Sequence, residues 1–344
     1  MTPLKAPFPW FGGKSRAAPL IWQALGDVRN YVEPFAGSLA VLLGRPSAPQ
    51  VETINDKDGF VCNFWRALAN DPEQVAHYAD WPANENDLHA RHAWLVQQRD
   101  QLTARLEGDP DYAEPRIAGW WVWGLSLWIG GGWCSGEGPW HQVDGQLLRL
   151  GDAGRGVHRR LLHLGSAGRG VHRPRLHLGC AGRGVHRPRL DLGCSGRVVH
   201  RPRLHLGDNN LCDYFAALAQ RLTRVRVSCG DWTRILSPAV TTTNGMTGMV
   251  LDPPYEQATR SKVYAVESDV SGDVRAWALA HGEDPMLRIV LCGYEGEEMP
   301  ETWQTIAWKA TGVYGNQAAG RGRANAYRER LWLSPACLTV GGAT

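Results

Sequence analysis

Two rhythms of apolar residues alternate along the chain. In NYVEPFAGSLAVLL (30–43) a short apolar run meets a glycine turn and resumes with helical spacing, which predicts strand, turn and helix start. VETIND (51–56) predicts the next strand, ending in acid at its carboxyl end. KDGFVCNFWRAL (57–68) spaces Phe60, Phe64 and Leu68 along one helical face, and residues 84–107 read as a polar helix. Further on, Asp208 is placed to cap a helix whose apolar face is Leu211, Phe215, Leu218 and Leu222. VRVSC (225–229) alternates like a strand, GMVLDPPY (248–255) is an apolar strand running into a proline stop, and RIVLCGY (288–294) is another buried strand. Strands alternating with helices predict an α/β fold around one mostly parallel, doubly wound sheet.

The two halves of this pattern are separated by a repeat. Residues 151–206 are four near-copies of a 14-residue unit: GDAGRGVHRRLLHL, GSAGRGVHRPRLHL, GCAGRGVHRPRLDL and GCSGRVVHRPRLHL. A short tandem repeat inside an otherwise non-repeating chain reads as an insertion into the domain. It also concentrates charge. The block holds twelve arginines against two acids, Asp152 and Asp191, a balance of +10; with +3 over the whole chain, the remainder carries −7. One basic insert in an acidic protein fits a polyanionic partner met there; it also fits a solvated low-complexity expansion. In VHRPRLHL, alternation places Val171, Arg173, Arg175 and His177 on one face, while Pro174 restricts the segment to a sheet edge or an extended loop. The late stretch GNQAAGRGRANAYR (315–328) adds Arg321, Arg323 and Arg328.

The most apolar stretch, IAGWWVWGLSLWIGGGW (117–133), is too short and too broken by glycine for a membrane span, and predicts a buried, tryptophan-rich helix and turn. The eight cysteines include no CxxC pair, which fits a reducing compartment and argues against a disulfide framework and a zinc site. The H-x-x-C spacing of His177 and Cys180 recurs only because the repeat does, so no metal is expected. MTPLKAPFPW at the start has no apolar run; no secretory signal is expected, and the expected location is the cytoplasm of a bacterium or a phage-infected host cell.

Four stretches carry chemistry. PWFGGKS (9–15) joins an aromatic, two glycines and a lysine, suited to close backbone approach to a ligand. VEPFAGS (32–38) is a glycine turn between strand and helix, where doubly wound sheets bind nucleotides, but it lacks the G-x-G-x-x-G of a dinucleotide site. Asn55–Asp56 ends the second strand; a carboxylate there accepts hydrogen bonds from ribose hydroxyls, or else caps the next helix. LDPPYE (251–256) is the most specific. Two successive prolines make a rigid turn whose carbonyl directions are set. Asp252 and the Pro253 carbonyl suit the two protons of an exocyclic base amine, and Tyr255 offers a flat surface on which the base stacks.

In this order WFGGK, VEPFAGS and DPPY resemble the motifs of the Dam-like (D12 class) DNA adenine-N6 methyltransferases, of phage type, over roughly residues 5–70 and 225–335. The resemblance implies a Rossmann-like methyltransferase sheet and S-adenosylmethionine as cofactor. Trp10, Lys14, Phe35, Gly37, Asp56 and Asp252 match positions lining the cofactor site, and Asp231 in CGDW is a candidate for its adenine. Asp252, Pro253, Pro254 and Tyr255 match the catalytic motif. The implied reaction is methyl transfer to the N6 amine of a flipped adenine in double-stranded DNA at a specific sequence, with a place in restriction–modification. The implied partner is double-stranded DNA, with no membrane and no metal. The expected organisation is a catalytic domain of residues 1–80 and 207–344, interrupted by a target-recognition region, 81–206, that includes the basic repeats at 151–206.

Two positions depart from the family's pattern. Leu39 stands where the family usually has a second glycine, and between residues 117 and 206 there is no clear counterpart of its asparagine-rich recognition stretch. The rival readings are an amino-methyltransferase acting on cytosine N4 or RNA guanine N2, and a catalytically idle DNA-binding protein that keeps the fold. WFGGK favours adenine in DNA over the first, and Leu39 is the feature that favours the second.

Overall fold

The computed structural model describes residues 4–10, 12–128, 133–134, 140–143, 146–149, 210–255, 270–309 and 327–341. The repeats at 151–206, Asp208, Glu256 and the arginines at 321 and 323 lie outside the described residues, and so do the expectations attached to them. In chain order the elements are α1 (Ala18–Leu25), β1 (Asn30–Glu33), α2 (Ala40–Leu43), β2 (Val51–Asp56), α3 (Gly59–Asn70), α4 (Pro72–Ala79), α5 (Glu85–Gly108) and α6 (Pro115–Leu127). They continue with β3 (Trp140–Val143), β4 (Gln146–Arg149), α7 (Leu211–Leu222), β5 (Val225–Cys229), β6 (Thr247–Leu251), α8 (Ser271–His281), β7 (Leu287–Tyr294), β8 (Gln304–Ala307) and β9 (Glu329–Leu333).

Among the described residues seven strands form one sheet in the order β5-β2-β1-β6-β7-β9-β8, and β3 and β4 form a separate antiparallel pair. The first five run parallel; β9 is antiparallel to both β7 and β8. The mostly parallel α/β architecture expected from the alternating pattern is therefore present. The antiparallel β9, inserted between β7 and β8, was not anticipated.

The central strands are buried on both faces, as parallel strands covered by helices must be. Successive residues feed opposite cores. Tyr31, Val250 and Val290 face the core built with α1 and α3 to α7, while Val32, Met249, Leu251 and Ile289 face the core that takes Val274 and Ala278 of α8. The stripe read from sequence on α3 is real: Phe60, Phe64 and Leu68 are buried, with Val61 beside them. The tryptophan-rich helix is α6, and Trp121 packs against Phe8, Phe60 and Phe64. No helix among the described residues is long and apolar enough to cross a membrane.

On the far side of the repeats, the chain returns to the same core. Leu211, Phe215, Leu218 and Leu222 of α7 are all buried, and Phe215 meets Phe64 edge-on at 6.0 Å. Arg221 of α7 grips the fully buried Glu52 of β2 through both guanidinium ends, at 2.6 and 2.8 Å, and Arg45 joins them at 3.2 Å. Bidentate pairing of this kind adds geometry to charge and fixes α7 on the sheet. The helix cap is Asn210, whose side chain accepts from the Asp213 amide at 2.8 Å.

Candidate functional site

In chain order the sheet is built outward from β1 to β2 and β5, and then resumes on the other side of β1 with β6. The topological switch point thus falls between β1 and β6, and at the carboxyl ends of such strands a crevice opens. A cleft lies there, lined by Trp10, Lys14, Phe35, Asp56, Asp231 and Asp252, with Glu33, Asp58 and Trp232 among its other walls. Of the residues expected at a cofactor site, six line this cleft directly. The seventh, Gly37, supports it from behind.

The turn after β1 is held by β2. Asp56 accepts from the Gly37 amide through Oδ2 and from the Asp58 amide through Oδ1, both at 2.9 Å. Asn55 donates to the carbonyls of Pro34 (3.2 Å) and Gly230 (3.0 Å), so one strand end ties down the turns that follow β1 and β5. The cap of α3 is not Asp56 but Asp58, which accepts from the Phe60 amide at 2.8 Å. Burial pushes the Asp56 carboxyl up from its ordinary range, against the backbone amides that hold it down. Asp58, buried and facing the charge of Asp56, is pushed up to about 7.

Gly37 has φ +46°, and a Cβ there would run into the Trp10 indole, while its carbonyl accepts from Trp65 Nε1 at 2.9 Å. Both the dihedral and the close approach demand glycine. Leu39, the departure from the family's pattern, takes the left-handed conformation anyway, with φ +56° and ψ +28°. A non-glycine residue held there costs of order 1–3 kcal/mol. Its side chain is fully buried, and burying a leucine contributes about 1.5–3 kcal/mol, enough to offset the strain. The turn keeps a glycine-like path without the glycine.

Aromatic and acidic walls complete the cleft. Phe35 and Trp232 lie near-parallel with centroids 6.2 Å apart. Asp231 caps the short 3-10 turn Trp232–Ile235, accepting from the amide and hydroxyl of Thr233 at 3.0 and 2.6 Å, and the hydroxyl bond holds its carboxyl below the usual range. Glu33 is buried and accepts from the Tyr31 hydroxyl at 2.9 Å; burial, opposed by that bond and aided by Asp252 and Glu52, pushes its carboxyl up to about 8.

The DPPY turn follows β6 and meets Lys14 at the inner end of the cleft. The lysine is only 4 % exposed and its ammonium lies 2.8 Å from Asp252 Oδ1, 2.8 Å from the Gly12 carbonyl and 3.2 Å from the Tyr255 hydroxyl. Burial works against that charge, but the carboxylates of Asp252 and Glu329 outweigh it and push Lys14 up. The Tyr255 hydroxyl reaches Glu329 Oε2 at 2.9 Å and Asp252 Oδ1 at 3.3 Å, and its ring meets Tyr294 edge-on at 4.4 Å. Pro254 lines the cleft and Pro253 is buried behind it. The sequence reading assigned Tyr255 a stacking surface; the structure adds a hydroxyl engaged with three charged groups.

Residues 10–106 match the family model of D12 class N6 adenine-specific DNA methyltransferases. The match supports a DNA adenine methyltransferase enzyme, and the family implies adenine methylation dependent on S-adenosylmethionine. No curated protein matches the chain. The matched segment carries Trp10, Lys14, Phe35, Gly37 and Asp56, while Asp231, the DPPY turn and Glu329 come from beyond it. Sequence reasoning missed Glu33, Asp58, Trp232 and Glu329. Glu33 ends β1 and could have been found by asking what closes each strand, while Asp58 and Trp232 stand just past β2 and β5, next to aspartates already singled out. Glu329 has no local signal, being 74 residues beyond Tyr255. Among the described residues no group of histidine, cysteine or acidic side chains is arranged to hold a metal.

Proposed function

We propose that this methyltransferase transfers a methyl group from S-adenosylmethionine to the N6 amine of an adenine flipped out of double-stranded DNA. The observation that carries the reading is the junction of the acidic, aromatic-walled cleft with the Lys14–Asp252–Tyr255 cluster. The donor set fits the cofactor. Phe35 and Trp232 offer flat surfaces for an adenine ring, Asp56 and Asp231 offer acceptors for hydroxyl and amine groups, and carboxylates suit a cationic ligand. When bound, S-adenosylmethionine supplies an electrophilic methyl group.

The protein's own contribution is positioning. The N6 lone pair of adenine is delocalised into the ring and is a poor nucleophile. Lys14 holds Asp252 by Oδ1, leaving Oδ2 to accept one amine proton while the Pro253 carbonyl accepts the other. Both bonds favour a tetrahedral nitrogen with its lone pair directed at the methyl, which is catalysis by orientation and fixed dipoles. A base inside a duplex cannot reach such a site, and extruding it costs a few kcal/mol. Cationic contacts to phosphate must offset that. The recognition region at 81–206, with its +10 repeats, is our candidate for those contacts.

The test is to incubate the protein with double-stranded DNA and labelled S-adenosylmethionine, digest to nucleosides and identify the modified base. Label in N6-methyladenine is expected, and Asp252→Ala should lower the rate by on the order of 10²–10³ or more while DNA binding survives. Label in cytosine, or full activity of the variant, would overturn the reading.

A further inference from the structure

Glu329 belongs to none of the motifs, yet it is 4 % exposed and touches the reactive cluster. It opens β9, whose antiparallel register sets it opposite Tyr294 of β7, beside the DPPY turn. Its Oε2 is 2.9 Å from the Tyr255 hydroxyl and 4.0 Å from Lys14 Nζ, so its direct contact is the phenol and not the ammonium.

The phenol has one proton and two carboxylates within reach, Glu329 at 2.9 Å and Asp252 at 3.3 Å. Lys14 donates to the phenol oxygen at 3.2 Å, which polarises its O–H and strengthens it as a donor. The shorter bond takes the proton. We propose that Glu329 is a positioning residue: by accepting the Tyr255 proton it keeps the phenol from adding a second donor to Asp252 Oδ1, which Lys14 already holds, so that Oδ2 keeps its full strength as acceptor for the target amine. The proposal rests on the adenine-methylation reading, since it presumes that Asp252 receives that amine.

The groups facing Glu329 are Lys14 from the N-terminal segment, Asp252 and Tyr255 after β6, and Cys292 and Tyr294 on β7. Burial pushes the Glu329 carboxyl up and Asp252 adds to this, while Lys14 and the Tyr255 bond oppose them. Protonation of Glu329 on acidification replaces a carboxylate acceptor by a weaker neutral one and shifts the phenol toward Asp252. The rate should then fall on the acid side.

The experiment is a cycle of Glu329→Gln, Tyr255→Phe and the double variant in the full chain. Single-turnover methyl transfer is measured from pH 5 to 8, alongside cofactor affinity by calorimetry and melting temperature over the same range. Glu329→Gln should slow transfer roughly 10-fold near neutrality and displace the acid limb of the profile, with cofactor affinity within about twofold of wild type. In the Tyr255→Phe background the same substitution should change the rate by less than about twofold, because the link is already gone. A counter-ion role toward Lys14 alone would slow both backgrounds equally and overturn the proposal, as would an unmoved acid limb. If the wild type transfers no methyl to adenine, the functional reading fails by itself. The melting temperatures then decide the contact: non-additive shifts in the cycle support it, and additive shifts overturn it.

Discussion

Replacing Lys14 with methionine keeps most of the side chain's apolar volume and removes the ammonium. In the native cluster that charge is almost fully buried and lies between Asp252 at 2.8 Å and Glu329 at 4.0 Å. Removing one partner of a buried pair leaves the other uncompensated, at a cost of roughly 3–5 kcal/mol. At about 2.1 cal/mol/K of unfolding entropy per residue, 344 residues convert this into a melting-temperature loss of about 4–7 °C. The loss should depend on pH. Lys14 is pushed above its ordinary value of 10.5, so in the wild type its contribution is fully present at every pH below that. Without it, Asp252 raises the proton affinity of Glu329 with no opposing ammonium. A carboxyl raised in the folded state gives stability that is present below its unfolded value and lost as pH rises through the folded one. The deficit of Lys14→Met relative to wild type is therefore largest at pH 8 and shrinks toward pH 5. Differential scanning calorimetry of both proteins across that range measures it. A deficit below about 1 °C, or one that does not change with pH, would refute the electrostatic account of the cluster.

Three further outcomes are expected. Gly37→Ala forces a Cβ into Trp10 at a positive φ, so calorimetry should find cofactor affinity at least about 10-fold weaker; an unchanged affinity would detach this turn from the cofactor site. Glu33, pushed up to about 8 from 4.5, contributes stability that is lost as pH rises between those values. Glu33→Gln abolishes that slope, by up to about 5 kcal/mol at 1.36 kcal/mol per unit; urea midpoints that track the wild type from pH 5 to 8 would contradict it. Deleting residues 165–192 removes two repeat units and six arginines. If they meet phosphates, the salt dependence of DNA affinity flattens by about 0.9 in log–log slope per lost contact, with cofactor binding intact; an unchanged slope identifies the block as a tolerated expansion.

Much of the fold was written locally. The apolar stripe on α3, the polar run of α5, the buried α6 and the strands β1, β2, β6 and β7 all follow from periodicity, which depends on neighbours within a turn or two. The ends of those strands could be read too, because acids and glycines that stop a strand are visible one residue at a time. Hence Asp56 and Asp252 were found before any tertiary structure, together with the glycine turn between β1 and α2. Leu39 was visible only as a departure; that it adopts the left-handed conformation, held by complete burial, is a tertiary fact. The same holds for Asp58 taking the helix cap and freeing Asp56 to hold the Gly37 turn.

The cluster of Lys14, Asp252, Tyr255 and Glu329 was not local at all. Lys14 and Tyr255 are 241 residues apart, and Tyr255 and Glu329 a further 74. Their meeting depends on strand order, which sets β6 beside β1 and folds β9 back against β7, and no periodicity encodes that order. Sequence determined which side chains could do chemistry, since identity and spacing fix donors, acceptors and charge. Only packing decided which of them share one proton, because hydrogen bonds fade beyond about 3.5 Å and buried charges must find partners wherever the chain brings them.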